Sequence, residues 1–367
     1  MAHSITVAPA APPQDEEIEL SIFGPGTGEG ILVHCGYGQW FAVDSARLDG
    51  ECWALWYLRQ IGVPFSALKL ILASHWHNDH VSGLADLISV APGATVAFSN
   101  ALDSHEFRAF LAVFNAAAAG NNRSKVSEFS QCIEIIRDRL QAGTPPVRLA
   151  SQHLPLIELA VSGIRATAIA LSPSTLDTLD ALTTFVDLSA LGLDHRPRPL
   201  SASTPNHASV VLYIQIDGNS IILAADRETR NHPGKGWEVI INDPVLNQIP
   251  AEAMKIAHHG SQNGFYTEIW PNIVSRNSVG VVTPFARHRL PEIATMKDYL
   301  SIGMQLYATA WPHSVARWHL PLPPRTKLSR PRSMAPGMVR LRKPMKNGAW
   351  HASLFGGAIA IDKTLLA

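Results

Sequence analysis

Residues 68–80 read LKLILASHWHNDH, and no other stretch constrains the chain so tightly. The continuous apolar run reads as a buried strand. It opens directly into His75, Trp76, His77, Asn78, Asp79 and His80, so four possible metal ligands stand within six positions. A tight turn there aims His75 and His77 at one point and Asp79 and His80 at another. Neutral imidazoles with a carboxylate suit Zn²⁺, and also Mn²⁺ or Fe. A lone buried histidine is usually an ordinary core residue, whereas a cluster of this density points to metal chemistry.

The surrounding pattern predicts the framework. IELSIFG, GILVHCG and QWFAVDSA are short apolar runs cut by Gly-rich turns, as in an antiparallel meander. The turn GPGTGEG has phosphate-loop composition, but a strand-like segment follows it rather than a helix, so it reads as a strand connection. ECWALWYLRQIG carries helical spacing, residues 82–89 suggest a short helix with Ser82 near its N-cap, and 103–142 is mostly helical. Residues 155–170 alternate as strands, and 172–205 is an ill-defined connector. SVVLYIQIDGNSIILAAD predicts a hairpin turning at Asp217-Gly218-Asn219. MKIAH and VGVVTPF are further strands, 291–302 is a helix, and MVRLRK with WHASLFGGAIAI predicts a final hairpin. Strands then helices, twice over, imply two sheets packed together with helices outside. Trp237 is read as core packing rather than cleft lining.

Composition removes several classes. The chain has 367 residues, of which 46% are hydrophobic and 16% charged, enough for a sizeable core and too little charge for disorder. No apolar run approaches the ~18 residues of a membrane span, and the N-terminal residues lack the pattern of a signal peptide. Cys35, Cys52 and Cys132 are far apart and form no C-x-x-C, which excludes a disulfide scaffold and suits a reducing cytoplasm. The net charge is zero, which excludes a protein that coats nucleic acid over its whole surface. Residues 313–367 nevertheless carry ten basic residues against one acid, Asp362, leaving +9 there and −9 in residues 1–312. That asymmetry makes Arg340, Arg342 and Lys343 candidate substrate-binding residues for phosphates, with Trp318 and Trp350 available for stacking. The organisation expected is a flexible N-terminus over 1–17, a main domain over 18–312 and a basic C-terminal extension over 313–367.

His75, His77, Asp79 and His80 together resemble the H-x-H-x-D-H signature of the metallo-β-lactamase superfamily. Asp44, Asp226 and His258, each ending a strand-like run, follow in the family's order, and the likeness covers roughly residues 18–310. It implies an α/β fold, the αββα four-layer sandwich, here with a short basic C-terminal β extension. It also implies two divalent metal ions, Zn first with Mn as the alternative, sharing a nucleophilic hydroxide. His75, His77 and a third-motif residue would hold one ion, Asp79, His80 and His258 the other, and Asp226 would bridge them. Asp79 would also orient the hydroxide, and Asp44 would orient the metal loop from behind.

Within the superfamily the chain is similar to the hydrolase domain of ComEC-type DNA-uptake proteins. The likeness rests on Asn206-His207-Ala208-Ser209, on Ala225-Asp226, and on His258-His259-Gly260-Ser261. Ala225 stands where that family has Gly. At the third motif either Asn206 or His207 can face the metal, since neighbours in an extended chain point opposite ways; ligand chemistry favours His207 and leaves Asn206 in a supporting position. His259 is a candidate catalytic residue, as general acid or phosphate contact, and His288 a candidate supporting residue. The large membrane part of ComEC is absent, which excludes a DNA channel. The activity implied is phosphodiester hydrolysis, most readily of nucleic acid. The alternatives are a small-molecule ester, lactone or lactam hydrolase, and a non-catalytic binding or effector subunit. Stand-alone domains of this type resemble effectors of bacterial antiviral defence, which would bring a protein partner in a multi-component system.

Overall fold

The computed structural model describes residues 11–24, 28–109, 111–112, 128–143, 147–192, 206–241, 249–269, 273–285, 288–312 and 335–366. β1 (Glu17–Gly24), β2 (Gly30–His34) and β3 (Trp40–Val43) form the antiparallel meander. A small ribbon, β4 (Arg47–Leu48) with β5 (Glu51–Cys52), leads into helix α1 (Trp53–Gln60). β6 (Leu68–Ala73), β7 (Thr95–Ser99) and β8 (Val147–Ala150) extend the first sheet in parallel beyond β3. Helices α2 (Asn78–Val81), α3 (Leu84–Val90) and α4 (Glu128–Gln141) lie along this part of the chain.

The second sheet starts with antiparallel β9 (Leu154–Val161), β10 (Ile164–Ala170), β11 (Leu212–Ile216) and β12 (Asn219–Leu223). The β11–β12 turn has Asp217 and Gly218 at φ 44° and 83°, a pair of left-handed residues that matches the right-handed twist of a hairpin. β13 (Ala251–Lys255), β14 (Val274–Val282) and β15 (Gln305–Ala308) follow in parallel. Helices α5 (Thr175–Gly192), α6 (Gly236–Ile240) and α7 (Ile293–Ser301) belong to this half of the chain.

Strand alternation builds the layers. Ile18, Leu20 and Ile22 of β1 face the inter-sheet core with Leu212, Ile214 and Val281. Phe23 points the other way, into the layer of Trp53, Tyr57, Leu84 and Ile88. The outer face of the second sheet packs Tyr213, Ile222 and Met254 on Trp237, Met296 and Tyr299. The result is the helix–sheet–sheet–helix order expected. Trp237 is fully buried and donates Nε1–H to Gly264 O at 3.1 Å, which fits its core reading. No helix among the described residues is long and apolar enough to cross a membrane.

Three expectations need correction. The connector 172–205 contains α5, an 18-residue helix. Its start is a reciprocal cap: Ser174 N–H donates to Asp177 Oδ2 and Asp177 N–H to Ser174 Oγ, both at 3.1 Å. The helix after the metal loop begins at Leu84 with Gly83, not Ser82, at its cap, and Glu128 accepts the Gly83 and Ala85 N–H groups. The C-terminal segment is no appendage. β16 (Gly337–Pro344) lies between β1 and β17 (His351–Gly356), paired with β1 from Glu17↔Pro344 to Gly24↔Gly337, and β18 (Ile359–Ile361) closes the second sheet beside β15. The edges of both sheets are thus completed by residues drawn from the far end of the chain. Residues 313–334, and Trp318 with them, lie outside the described residues.

Candidate metal centre

β3, β6, β12 and β13 send their carboxyl ends to one rim of the sandwich, where open α/β sheets characteristically place ligand sites. Asp44 follows β3, His75–His80 follow β6, Asp226 follows β12 and His258–His259 follow β13. Val210 N–H donates to Ser74 O at 2.9 Å, tying the first sheet's metal loop to the second sheet.

Two groups of donor atoms that share Asp226 form there, in front of a third made of Glu29, Asp44 and His80. In one, Asp79, His80, Asp226 and His259 place ligand atoms within 4.8 Å of one another; in the other, His75, His77 and Asp226 do the same. Asp226 belongs to both. Its Oδ1 lies 3.4 Å from His80 Nε2 and 3.6 Å from His259 Nε2, and its Oδ2 lies 3.8 Å from His75 Nε2. His77 Nε2, His80 Nε2, His259 Nε2, Asp226 Oδ1 and Asn206 Oδ1 are buried without a hydrogen-bond partner. Buried polar atoms are rarely left so. Convergent unpaired nitrogen and oxygen donors fit divalent metal ions.

Charge distribution separates the two groups. Burial, with the neighbouring His80 and His77, holds the His75 imidazole well below its ordinary pKa, and burial brings His77 to about 4. Both are neutral donors at pH 7. Burial opposes the charged form of His80 as well, but the carboxylates of Asp226, Glu29, Asp44 and Asp79 overcome it and raise its pKa. Burial likewise opposes ionisation of Asp79, yet His80 and His259 hold its carboxyl below the usual range. A cation is therefore strongly favoured among Asp79, His80, Asp226 and His259.

A layer behind the donors fixes them. Asp44 Oδ1 and Oδ2 accept from Ser74 N–H and Oγ–H, both at 2.7 Å, and Oδ2 lies 2.8 Å from His80 Nδ1, so Asp44 ties the start of the loop to the His80 ring. Glu29, Lys255 and Thr283 stand in the same layer and had no part in the reading of the motifs. Gly28 has φ +104°, and a side chain there would meet Asp79 O at 2.5 Å, while Glu29 N–H donates to that oxygen at 2.9 Å. Gly24 ends β1 and Gly30 opens β2, so the Gly-rich segment joins two strands as expected, with residues 25–27 outside the described residues; its end, Gly28 and Glu29, is also a wall of the centre. A carboxylate at the end of a glycine-rich turn was the available signal.

Four assignments change. His259, not His258, joins the donor group. Both have left-handed backbones (φ 51° and 46°), which swing the two rings apart. His259 turns inward and sets Nδ1 2.9 Å from Thr283 O; His258 turns toward the rim, with Asn263 Oδ1 at 2.8 Å, Asn206 Nδ2 at 3.3 Å and Glu228 Oε1 at 3.4 Å. At the third motif it is Asn206, not His207, that sits beside His258, with its Oδ1 buried and without a partner. His207 points away, its Nδ1 2.6 Å from the Arg230 guanidinium and 3.6 Å from Asp180, and burial beside that cation lowers its pKa to about 4. His288 is exposed and stacks on Phe285, which in turn contacts the His259 ring at 5.2 Å, so it reaches the donors only through Phe285. Arg340, Arg342 and Lys343 are engaged inside the sandwich. Arg342 Nε–H donates to buried Glu19 at 2.7 Å, Lys343 is buried against Glu252, and Arg340 lies over Phe355. The β1 register also sets Arg342 and Lys343 at the end of the sheet opposite Gly28, so they are not available as phosphate contacts at this centre.

Donor clusters on the rim of a two-sheet sandwich define a metal-dependent hydrolase. Residues 22–266 match the model of the metallo-β-lactamase superfamily, to which the chain belongs. It is similar to a metallo-β-lactamase from Cronobacter sakazakii, an HARLDQ-motif mutant, at 18% identity over 66% of this chain and 77% of that one, with a TM-score of 0.35. The metallo-β-lactamase fold protein YhfI from Bacillus subtilis aligns at 10% identity over 79% and 96%, with a TM-score of 0.38. The Rm3 metallo-β-lactamase aligns at 17% identity over 70% and 80%, with a TM-score of 0.33. No curated protein matches the chain.

Proposed function

We propose that the protein is a binuclear metal-dependent phosphodiesterase acting on nucleic acid. The observation that carries this reading is Asp226, one buried carboxylate common to both donor groups. Two divalent ions, Zn²⁺ or Mn²⁺, would supply water activation at neutral pH and charge stabilisation of a phosphodiester's reacting oxygens. His75, His77 and Asn206 would hold one, Asp79, His80 and His259 the other, with Asp226 between. Asp79 is placed to orient the attacking oxygen. His258, flanked by Glu228, Asn206 and Asn263, is the rim group within reach of a leaving oxygen and takes the general-acid role first read into His259.

The phosphodiester preference is supported by the N-x-x-S and H-H-G-S frames and by cations beside Asn206. Arg230 and Lys235, each about a quarter exposed, pair with Asp180 there, with Glu228 and Glu238 close by. A cytoplasmic setting and a protein partner belong to the same proposal. A second reading has one observation in its favour. An open cleft of about 670 Å³ beyond His258 is lined by Thr229, Ser261, Asn263, Phe265, Glu292 and Asp298, and its carboxylates suit an uncharged or amine-bearing small ester, lactone or lactam.

Metal-reconstituted protein, with Zn²⁺ and with Mn²⁺, should cleave bis-p-nitrophenyl phosphate and a polynucleotide while leaving p-nitrophenyl acetate and a chromogenic lactam intact. The opposite selectivity would replace the first reading with the second. Bound metal without turnover of any of these substrates would favour the non-catalytic subunit.

A further inference from the structure

Glu29 and Lys255 are both fully buried, and Glu29 Oε2 lies 2.7 Å from Lys255 Nζ. Isolated buried ion pairs contribute little net stability because both charges lose water. This pair, however, touches three donors of one group. Glu29 Oε1 lies 3.5 Å from His80 Nδ1 and has no hydrogen-bond partner of its own. Thr283 Oγ1–H donates to Glu29 Oε2 at 2.5 Å, and the same Thr283 presents its backbone oxygen to His259 Nδ1. Lys255 Nζ donates to Ala225 O at 2.9 Å and lies 3.8 Å from Asp226 Oδ1. With Asp44, the Asp79–His80–His259 position has four carboxylates around it against a single fixed cation, Lys255.

The other position is backed only through a hydroxyl, Ser74 Oγ, which itself donates to Asp44 Oδ2. His75 Nδ1 meets only the Ser74 hydroxyl, at 3.0 Å, and His77 Nδ1 meets His75 Nε2 at 3.2 Å. Its donor group has three members, His75, His77 and the shared Asp226, against four at the other position.

We propose that the Glu29–Lys255 pair makes Asp79–His80–His259 the tight one of two unequal metal positions, and that the His75–His77 position is the exchangeable one. Asp226 serves both. This rests on the metal reading above. The carboxylate adds its charge beside the His80 ring that Asp44 holds and, through Thr283, beside the His259 ring. The ammonium pairs with that carboxylate and, through Ala225 O, anchors the turn that carries Asp226. Glu29 and Lys255 are positioning residues and do not meet substrate.

The test is competition between stripped protein and a chromophoric chelator for Zn²⁺, repeated with Co²⁺ to follow the visible spectrum. Wild-type protein should bind one equivalent at least roughly tenfold more tightly than the second. Glu29→Gln should weaken the tight equivalent by roughly 10- to 100-fold and alter its Co²⁺ spectrum, with the weaker equivalent held within roughly threefold. His75→Ala should keep the tight equivalent and His259→Ala should lose it. Glu29→Asp withdraws the charge by one methylene and should fall between wild type and Glu29→Gln, which keeps the test open if Glu29→Gln does not fold. The double variant Glu29→Gln with Lys255→Met should recover part of the affinity, because no uncompensated cation then faces Asp226. Two equal equivalents, loss of the tight one in His75→Ala, or wild-type affinity in a folded Glu29 variant would each overturn the inference. Wild-type protein that takes up no metal would instead overturn the function proposed above.

Discussion

The turn after β6 delivers His75, His77, Asp79 and His80 with no residue from Ser74 to His80 in the left-handed region, whereas the turns after β12 and β13 hold Ala225, His258 and His259 at φ 46°, 46° and 51°. The first sheet supplies contiguous donors from relaxed backbone. The second supplies its donors from separate strands and through strained backbone, at about 1–2 kcal/mol per left-handed residue. Neighbouring contacts hold the strained turns: His258 N–H donates to Ala225 O at 3.0 Å and Ser261 N–H to His258 O at 2.9 Å. Side chains on a relaxed turn follow sequence order, while those on the strained one are aimed by the packing around them.

Asp226→Asn breaks the comparison most severely, because one carboxylate serves both donor groups. Metal content should fall by at least one equivalent and hydrolysis by roughly a thousandfold or more, matching the several kcal/mol that metal ions contribute to such reactions. Retention of full activity would remove Asp226 from the bridging role. The strained turn is tested next. His259→Ala should lose metal, whereas His258→Ala should keep both equivalents and slow turnover by roughly a hundredfold, the lower range for a general acid. Metal loss in His258→Ala with retention in His259→Ala would reinstate the order read from the motif alone.

A smaller effect lies in β2, away from both turns. His34 Nδ1–H donates to Glu17 O at 2.8 Å and Nε2 accepts Gly38 N–H at 3.1 Å, so the folded state holds the ring neutral. Burial lowers its pKa from 6.5 to about 4. Between those values the unfolded chain binds a proton that the folded chain does not, so stability falls as pH falls through this window, by up to about 3 kcal/mol. Urea unfolding at pH 7 and pH 5 should show a shallower acid loss in His34→Gln than in the wild type; parallel losses would rule this histidine out.

The smallest predicted effect concerns backbone strain alone. Ala225→Gly exchanges a buried methyl for relief of a left-handed residue, two contributions of about 1 kcal/mol each that oppose one another. Ala224, equally enclosed but outside the left-handed set, has no such relief. Ala224→Gly should therefore cost about 1 kcal/mol more than Ala225→Gly in denaturant unfolding. Equal costs would mean that Ala225 stores no strain.

Much of the framework was legible because short-range rules governed it. The meander, the 212–223 hairpin and the strand ahead of the metal loop followed from alternation, turn residues and a buried apolar run. Helix α5 was also legible in principle, since Ser174 and Asp177 stand at capping-box spacing, but the Pro- and Thr-rich surroundings masked it. The basic tail misled for a physical reason. Counting charge cannot tell an exposed arginine from Arg342, whose partner Glu19 lies 323 positions away in the chain.

By itself the sequence determined the donors of the first sheet, because four ligands in six positions after a buried strand are set by local geometry. It also determined the four-layer class, because periodicity decides which faces must be covered. Only the tertiary structure decided between His258 and His259, and between Asn206 and His207. Adjacent residues differ by a backbone rotation, and that rotation is chosen by Thr283, Arg230 and Asp180 from distant strands and helices. The Glu29–Lys255 pair belongs wholly to that second category: two opposite charges far apart in sequence become one buried unit only when both sheets close over them.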